Sequence, residues 1–328
     1  MSAVRFAVLG TGRLGSVHAR LLGTIDGVRL VGVHDASPAR AAAVAEACGT
    51  VAFADPARLL READAVVVAV STSAHHAVAA AAISAGRHVL VEKPLAPSLE
   101  EADDLVERAA ARGVLLCVGH VERFNPAIRA CRPHLADPRF VTCQRLAPFQ
   151  QRGTDVPVML DLMIHDIDLV LDLVDSAVES VQAIGVPVFT DTIDLANARI
   201  TFRNGAVADI SASRASADRT RHLRLFQPTG YFSLDLAAGR GVYLRRRPGE
   251  GPAGTIVPPA GLADLVETIP LAGPPGEPLR LELEAFRDAI LGRPGGTATA
   301  GEGRAALEVA LRIQRDIERG SHVAAGHP

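Results

Sequence analysis

Residues 4–15 read Val-Arg-Phe-Ala-Val-Leu-Gly-Thr-Gly-Arg-Leu-Gly. A mostly apolar strand runs directly into a G-x-G-x-x-G turn, and that order decides how the first part of the chain folds. Glycine has no Cβ. Gly10 can therefore make a tight turn, Gly12 lets backbone approach a pyrophosphate, and Gly15 lets the next helix lie close to the strand. The helix expected from Arg13 to Leu22 aims its first N–H groups at those phosphates, with Thr11, Arg13 and Leu14 beside them. Asp35 ends the second strand about 20 residues beyond Gly15, where a carboxylate accepts hydrogen bonds from an adenosine ribose. An acid there repels a 2′-phosphate, so NAD is expected over NADP. Arg40 is the counter-signal, because an arginine beside Asp35 can hold that phosphate. The competing reading is a plain tight turn followed by a loop aspartate.

Outward from this turn, strands and helices alternate. Apolar runs at Val4–Leu9, Arg29–His34, Ala65–Val70, His88–Val91 and Val114–Val118 are separated by Ala-rich helical stretches at Ala39–Cys48, His75–Ala85 and Leu99–Arg112. Short apolar strands spaced by helices imply a parallel sheet covered on both faces. Ser98 reads as an N-cap and Gly113 as the residue just past a helix end. After Gly119-His120 the pattern changes. A short helix is expected over 124–134 and another over Leu160–Leu173. Strands follow from about Val178 to Leu244, with Asn204-Gly205 as a hairpin turn between Ala196–Phe202 and Val207–Ala212. Residues 248–278 are rich in Pro and Gly and are expected to be loop. Helices at about Pro278–Leu291 and Gly301–Arg319 close the chain. The expected fold is α/β: a doubly wound Rossmann domain over 1–120, then an α+β domain over 121–328 on an open, mostly antiparallel sheet.

Composition sets outer bounds. The chain has 328 residues, 48% of them hydrophobic and 22% charged, enough for two domains with real cores. Trp is absent and aromatics are 4%, so the core must be built from Ala, Val, Leu and Ile. A net charge of −3 argues against a nucleic-acid or anionic-membrane surface. No apolar run reaches the length of about 18 residues that a membrane span needs. The first residues enter a strand without a signal-peptide pattern. Cys48, Cys117, Cys131 and Cys143 are scattered and read as reduced thiols, so a cytoplasmic location is expected.

Residues 89–94 read Val-Leu-Val-Glu-Lys-Pro, which puts Glu92 and Lys93 at the carboxyl end of a later strand, where ligands of open α/β sheets bind. With this segment in place the chain resembles the Gfo/Idh/MocA family of oxidoreductases. Val70-Ser71-Thr72-Ser73-Ala74-His75 carries the resemblance too, although the proline that many members have before the histidine is absent. So do Ala85-Gly86-Arg87-His88-Val89, Gly119-His120-Val121-Glu122-Arg123-Phe124-Asn125-Pro126 and Asp161-Leu162-Met163-Ile164-His165-Asp166-Ile167-Asp168. The resemblance implies an NAD(P)-dependent dehydrogenase of sugars, cyclitols or related alcohols, with a second domain built on an open sheet. It adds Ser71, Thr72, His75, Glu92 and Lys93 to the cofactor side. Where many members have Gly-Gly before the aspartate, this chain has Val156-Pro157-Val158-Met159. Its Arg-Phe-Asn-Pro and Asp161–Asp168 runs are similar to the branch acting on nucleotide-linked amino sugars such as UDP-N-acetylglucosamine, oxidised at the 3-hydroxyl.

Oxidising a secondary alcohol requires a hydride acceptor and a base for the hydroxyl proton. An imidazole titrates near neutral pH, so His165 is the candidate base. Asp161, four residues earlier, projects from the same helix face and can orient the ring or a sugar hydroxyl. Lys93, from the other domain, is expected to hydrogen-bond the reacting oxygen, and Glu92 to pair with a cation and fix the strand end. Arg123 and Asn125 are candidate substrate contacts; an anchor for the helix that Pro126 begins is the alternative. Arg214, with Arg219, Arg221 and Arg224, is a candidate diphosphate-binding group, against solvated strand faces. His75 can also be a helix cap. The resemblance requires no metal. A dehydrogenase of a free sugar or inositol, and a non-catalytic dinucleotide sensor, are the competing functions. An open sheet with one free apolar face is expected to pair into a homodimer or homotetramer.

Overall fold

A computed structural model describes residues 3–150, 156–247, 265–274 and 276–324. The chain forms two compact units, Met1–Val121 with Gly276–Glu308, and Glu122–Pro275 with Val309–Pro328.

The first unit runs β1 (Val4–Leu9), α1 (Arg13–Leu22), β2 (Val28–His34), α2 (Pro38–Ala47), α3 (Pro56–Glu62), β3 (Ala65–Val68), α4 (His75–Ser84), β4 (His88–Glu92), α5 (Leu99–Arg112) and β5 (Leu116–Gly119). These five strands are parallel, in the order β5-β4-β3-β1-β2, and the two-residue strand Ala298–Thr299 adds antiparallel to β5. All four residues of β3 are buried, as a strand covered on both faces requires. Strand order reverses beside β1, which makes its carboxyl end the switch point where open α/β sheets bind ligands. Ser98 caps α5 by accepting from the Glu101 N–H, and Gly113 ends it at φ 65°. Helix α3 was not expected. Its signal is local, with Pro56 in the first turn and Asp55 accepting from the Ala57 N–H at 2.9 Å.

Residues Gly276–Glu308 correct the expected division at 120. The helix Pro278–Ile290 places Phe286 edge-on to Phe6, ring centroids 5.9 Å apart, and buries Leu283 in the same core as Val4, Leu22 and Val67. Thr299 pairs with Cys117. This stretch completes the first hydrophobic core instead of belonging with the residues that precede it.

The second unit holds an eight-stranded sheet formed by β6 (Phe140–Leu146), β7 (Val178–Val186), β8 (Leu195–Phe202), β9 (Val207–Ser213), β10 (Thr220–Gln227), β11 (Gly230–Asp235), β12 (Arg240–Arg246) and β13 (Val266–Ala272). The spatial order is β13-β12-β11-β10-β6-β9-β8-β7, antiparallel throughout except for the parallel β6–β9 pair. Two helices of this unit are α6 (Pro126–Cys131) and α7 (Ile164–Val174). Side chains alternate strictly: Ala196, Ala198, Ile200 and Phe202 are buried, while Leu195, Asn197 and Arg199 face outward. Gly205 takes φ 81° in the Asn-Gly turn between β8 and β9. Strand β13 corrects the loop expected over 248–278. Pro270 within it disguises the strand, and it is tolerated because β13 is a sheet edge. Residues 248–264 and 275 of that stretch lie outside the described residues.

Asp194 organises the loop between β7 and β8. Its buried carboxylate accepts from the N–H groups of Val188, Phe189 and Thr190 at 2.8, 2.6 and 2.9 Å, from the Thr190 hydroxyl and from Arg214 Nε at 2.7 Å. Burial alone would raise this carboxyl, but Arg214 and the backbone donors outweigh it and hold it well below the usual carboxylate range. Such a group adds stability above its unfolded value, near about 4, and loses it as pH falls through the lower folded value. Asp194→Asn is therefore expected to destabilise the protein by about 3–5 kcal/mol at pH 7. It is also expected to flatten the fall in melting temperature below about pH 4, measured by circular dichroism across a pH series.

Candidate active site

The glycine turn is as tight as the sequence requires. A Cβ on Gly15 would lie 1.8 Å from the Gly10 carbonyl oxygen, and one on Gly10, at φ 92°, would lie 2.5 Å from that of Ala69. Around Gly12 nothing lies within 4 Å of a Cβ position, so the backbone there faces open space. Helix α1 starts immediately after, with no side chain capping it and no acid in its first turn. Its leading N–H groups are left for an anion. Arg13 and Leu14 are exposed beside them.

A cavity of about 600 Å³ opens here. Gly10, Gly12, Asp35, Arg40 and Ser71 line its polar end, and Pro56, Leu60, Val78 and Ala81 form an apolar slot. Asp35 is buried. Its Oδ2 accepts from the Thr11 N–H at 2.7 Å and the Thr11 hydroxyl at 3.0 Å; its Oδ1 accepts from the Ser37 N–H at 2.8 Å and Arg40 Nη2 at 2.7 Å. Burial opposes ionisation, but these four donors prevail and keep the carboxyl well below its ordinary range. Thr11 thus serves the site by holding Asp35. A carboxylate has about four lone-pair sites, so a ribose hydroxyl must displace a donor. Arg40, with 61% of its side chain exposed, is the donor open to solvent. An anion-binding helix end, an acid at the ribose position and an apolar slot for a flat ring fit a dinucleotide such as NAD. Thr72 begins the short 3₁₀ turn Thr72–Ala74 beside this cavity.

At the end of β4, Glu92 is buried and its Oε1 lies 2.6 Å from Nε2 of His18, a fully buried residue of α1. His75 is buried as well. Its Nδ1 lies 2.8 Å from the Pro94 carbonyl and its Nε2 3.3 Å from that of Val70. Burial lowers its pKa, so the ring is neutral and donates one hydrogen bond, the short one to Pro94. Glu92 and His75, expected on the cofactor side, hold the Lys93 segment through its flanks.

In the second unit, Asp161 lies in a π-helical turn, Met159–Met163, that leads into α7, and His165 is the second residue of that helix. Both are half-buried. Such turns recur at functional sites. The turn is tied down by Val158 N–H donating to Ile193 O at 2.9 Å and by Arg214 Nη1 donating to Val156 O at 2.7 Å. Asp166 and Asp168 point inward. Asp166 pairs with Arg145 through two bonds of 2.8 Å, and Asp168 with Arg123 through bonds of 2.8 and 2.7 Å. Burial pushes the Asp166 carboxyl up, and Arg145 pulls against it.

Three expected substrate contacts have internal partners, which for Arg123 and Asn125 is the anchoring alternative. The Arg123 guanidinium, 6% exposed, is held by Asp168 and lies 3.6 Å from Asp172. Asn125 caps α6 through Ala127 N–H and donates to Glu122 and to Leu236 O. Arg214, 4% exposed, is divided among Asp194, Val156 O, Thr190 and Thr192. Nor do the arginines form one group. On β10, Arg221 lies in line with the buried Leu223 and reaches Glu122, while Arg224 lies on the outward face. His18 and Arg145 were missed. Each had a signal: His18 lies on the stripe of α1 that also holds Gly15, Ala19 and Leu22, and Arg145 continues the inward register of Val141 and Cys143. The four cysteines are free thiols, and burial pushes that of Cys131 up to about 12.

Known proteins agree with this arrangement. Residues 4–120 match the model described as oxidoreductase family, NAD-binding Rossmann fold, and residues 127–233 match the GFO/IDH/MocA C-terminal domain. The chain is 38% identical over 319 residues to UDP-N-acetylglucosamine 3-dehydrogenase of Acidithiobacillus ferrooxidans, covering 97% of this chain and 98% of that one. It is 33% identical over 233 residues to scyllo-inositol 2-dehydrogenase (NAD(+)) of Bacillus subtilis, covering 65% and 68%. The solved structure of the Acidithiobacillus enzyme superposes with a TM-score of 0.87 over 97% of this chain and 99% of that one. A glycine turn with its acid, a Glu-Lys-Pro strand end and these likenesses converge: the chain belongs to the Gfo/Idh/MocA family of oxidoreductases, and its first domain is an NAD-binding Rossmann domain.

Proposed function

We propose that the protein oxidises the 3-hydroxyl of a nucleotide amino sugar, UDP-N-acetylglucosamine, with NAD. The observation that carries this reading is the likeness to a UDP-N-acetylglucosamine 3-dehydrogenase at 38% identity over 97% of the chain. The inositol dehydrogenase likeness covers 65% of the chain, which ranks oxidation of a free cyclitol second. NAD, when bound, supplies the hydride acceptor. His165 takes the hydroxyl proton, because a neutral imidazole is a suitable base near pH 7. Asp161 orients that ring or a neighbouring hydroxyl. The Lys93 ammonium donates to the reacting oxygen and favours the negative charge that develops there. Arg123 and Arg214, paired with Asp168 and Asp194, serve this site as its frame.

The outward face of the second sheet is read as the surface that pairs two copies of the chain. It carries Ile184, Val186 and Leu195 at 64, 44 and 39% exposure, and a stack of Phe226 on Tyr231 with centroids 5.2 Å apart. Large apolar groups gathered on one face are costly in water. A dimer or tetramer is expected by light scattering, and Phe226→Arg is expected to lower the mass. A monomer at micromolar concentration refutes this surface.

The cofactor reading predicts tighter binding of NADH than NADPH, followed by the cofactors' own fluorescence. Asp35→Ala is expected to narrow that gap, and Arg40→Ala to weaken NADPH more than NADH. A clear NADPH preference in the unmodified protein overturns it and makes Arg40 the deciding residue.

The assay for function compares NADH formation at about 340 nm with UDP-N-acetylglucosamine against free sugars and inositols, using the 10²–10⁴-fold scale of a lost acid–base group. His165→Asn and Lys93→Ala are expected to lower turnover by about 10²–10⁴-fold, with cofactor affinity retained in His165→Asn. Near-normal hydride transfer in His165→Asn shifts the base to Asp161 or Lys93. Activity with free inositol alone overturns the nucleotide-sugar reading.

A further inference from the structure

We infer that His18 and His75 are positioning residues that hold Lys93 from its two sides. The inference rests on the proposed role of Lys93. A lysine side chain is a long, flexible stem, so its aim depends on how firmly the backbone beneath it is fixed. Residues 92–94 are fixed on both flanks by buried imidazoles. On the amino side, His18 Nε2 donates to Glu92 Oε1 at 2.6 Å, with the ring fully buried. The other carboxylate oxygen lies against Gly119, where a Cβ would come within 3.2 Å of it, so the Glu92 head is confined between α1 and β5. On the carboxyl side, His75 Nδ1 donates to the Pro94 carbonyl at 2.8 Å.

A packing role alone explains this poorly. A buried ion or hydrogen-bonded pair is no more stabilising than two apolar side chains of the same volume. The strand that ends in Glu92 is otherwise apolar and buried at Val89, Leu90 and Val91. A polar pair at this one position fixes an orientation that an apolar pair would leave loose. The two histidines also come from informative places. His18 sits in α1, whose uncapped first turn would hold the cofactor phosphates. His75 begins α4, which lines the cavity with Ala77, Val78 and Ala81. Lys93 is thereby tied to α4, which lines the dinucleotide cavity, and to α1, whose N-cap Gly12 lines it.

The test compares His18→Ala, His18→Gln, Glu92→Gln and Lys93→Ala in the full-length protein. Single-turnover hydride transfer to NAD is measured with saturating UDP-N-acetylglucosamine, NADH affinity by its fluorescence, and amide hydrogen exchange over residues 92–95. His18→Ala is expected to slow hydride transfer by about 10–100-fold, the scale of a small misplacement. NADH affinity is expected to stay unchanged, and exchange at 92–95 to quicken. The Gln amide nitrogen reaches about as far as Nε2, so His18→Gln is expected to recover most of the rate. Full-rate transfer in folded His18→Ala, or a His18→Gln as slow as His18→Ala, overturns the inference while Lys93→Ala remains slow. If His18→Ala does not fold, Glu92→Gln decides. It leaves His18 a weaker amide acceptor, so exchange at 92–95 is expected to quicken and hydride transfer to slow, though less than in Lys93→Ala, with NADH affinity unchanged; exchange and rate both at wild-type values overturn the inference. Full-rate Lys93→Ala removes the Lys93 reading itself, and the inference with it.

Discussion

The close approach of α1 to β1 is the constraint on which the first unit depends. With Gly15 so near the Gly10 carbonyl that no side chain fits, the helix lies directly on the strand end. Three consequences follow from that one contact. The leading N–H groups of α1 face the cavity. Thr11 is brought under Asp35, where its N–H and hydroxyl both reach Oδ2. His18, about a turn and a half along, is carried to the end of β4 and meets Glu92. The phosphate end, the ribose end and the Lys93 strand end are set by the same piece of backbone.

The second unit depends on charge in place of glycine. Arg145 is held between Asp166 and Glu122, Arg123 by Asp168, and Arg214 by Asp194, all with little exposure. Burying a charge is costly unless it is paired and hydrogen-bonded, and removing one member leaves the other stranded. These pairs therefore define the position of α7 and of the turn before it more sharply than apolar contacts would. Asp161 and His165 sit on that framed segment and are themselves half-buried; in the proposed reaction the fixed charges serve as their scaffold.

Much of this was readable along the chain wherever the determining physics is local. The strand Val4–Leu9, the helix Leu99–Arg112 with its Ser98 cap and Gly113 stop, and the Asn204-Gly205 hairpin depend on residues within a few positions of one another. Asp35 was placed correctly beside the glycine turn because a βαβ unit has a nearly fixed length. The segments Glu92-Lys93-Pro94 and Asp161–His165 pointed to the family through local motifs that the matched domains bear out.

Other features turned on partners far away in sequence. Whether Arg123, Asn125 and Arg214 meet a ligand or an internal acceptor depends on Asp168, the Leu236 carbonyl and Asp194, which lie 45, 111 and 20 positions away. A guanidinium on a strand looks the same in sequence whether it faces a carboxylate inside or solvent outside. Strand Val266–Ala272 exists because β12 offers an edge to pair with, which composition could not reveal. Phe286 joins the first core because Phe6 leaves room for it. The sequence by itself determined the glycine turn, its acid, the strand-end lysine and the order of the elements, because each follows from local conformational preference. Only the tertiary structure decided which charged groups are structural and which segments complete each core, because those outcomes depend on what burial brings opposite each side chain.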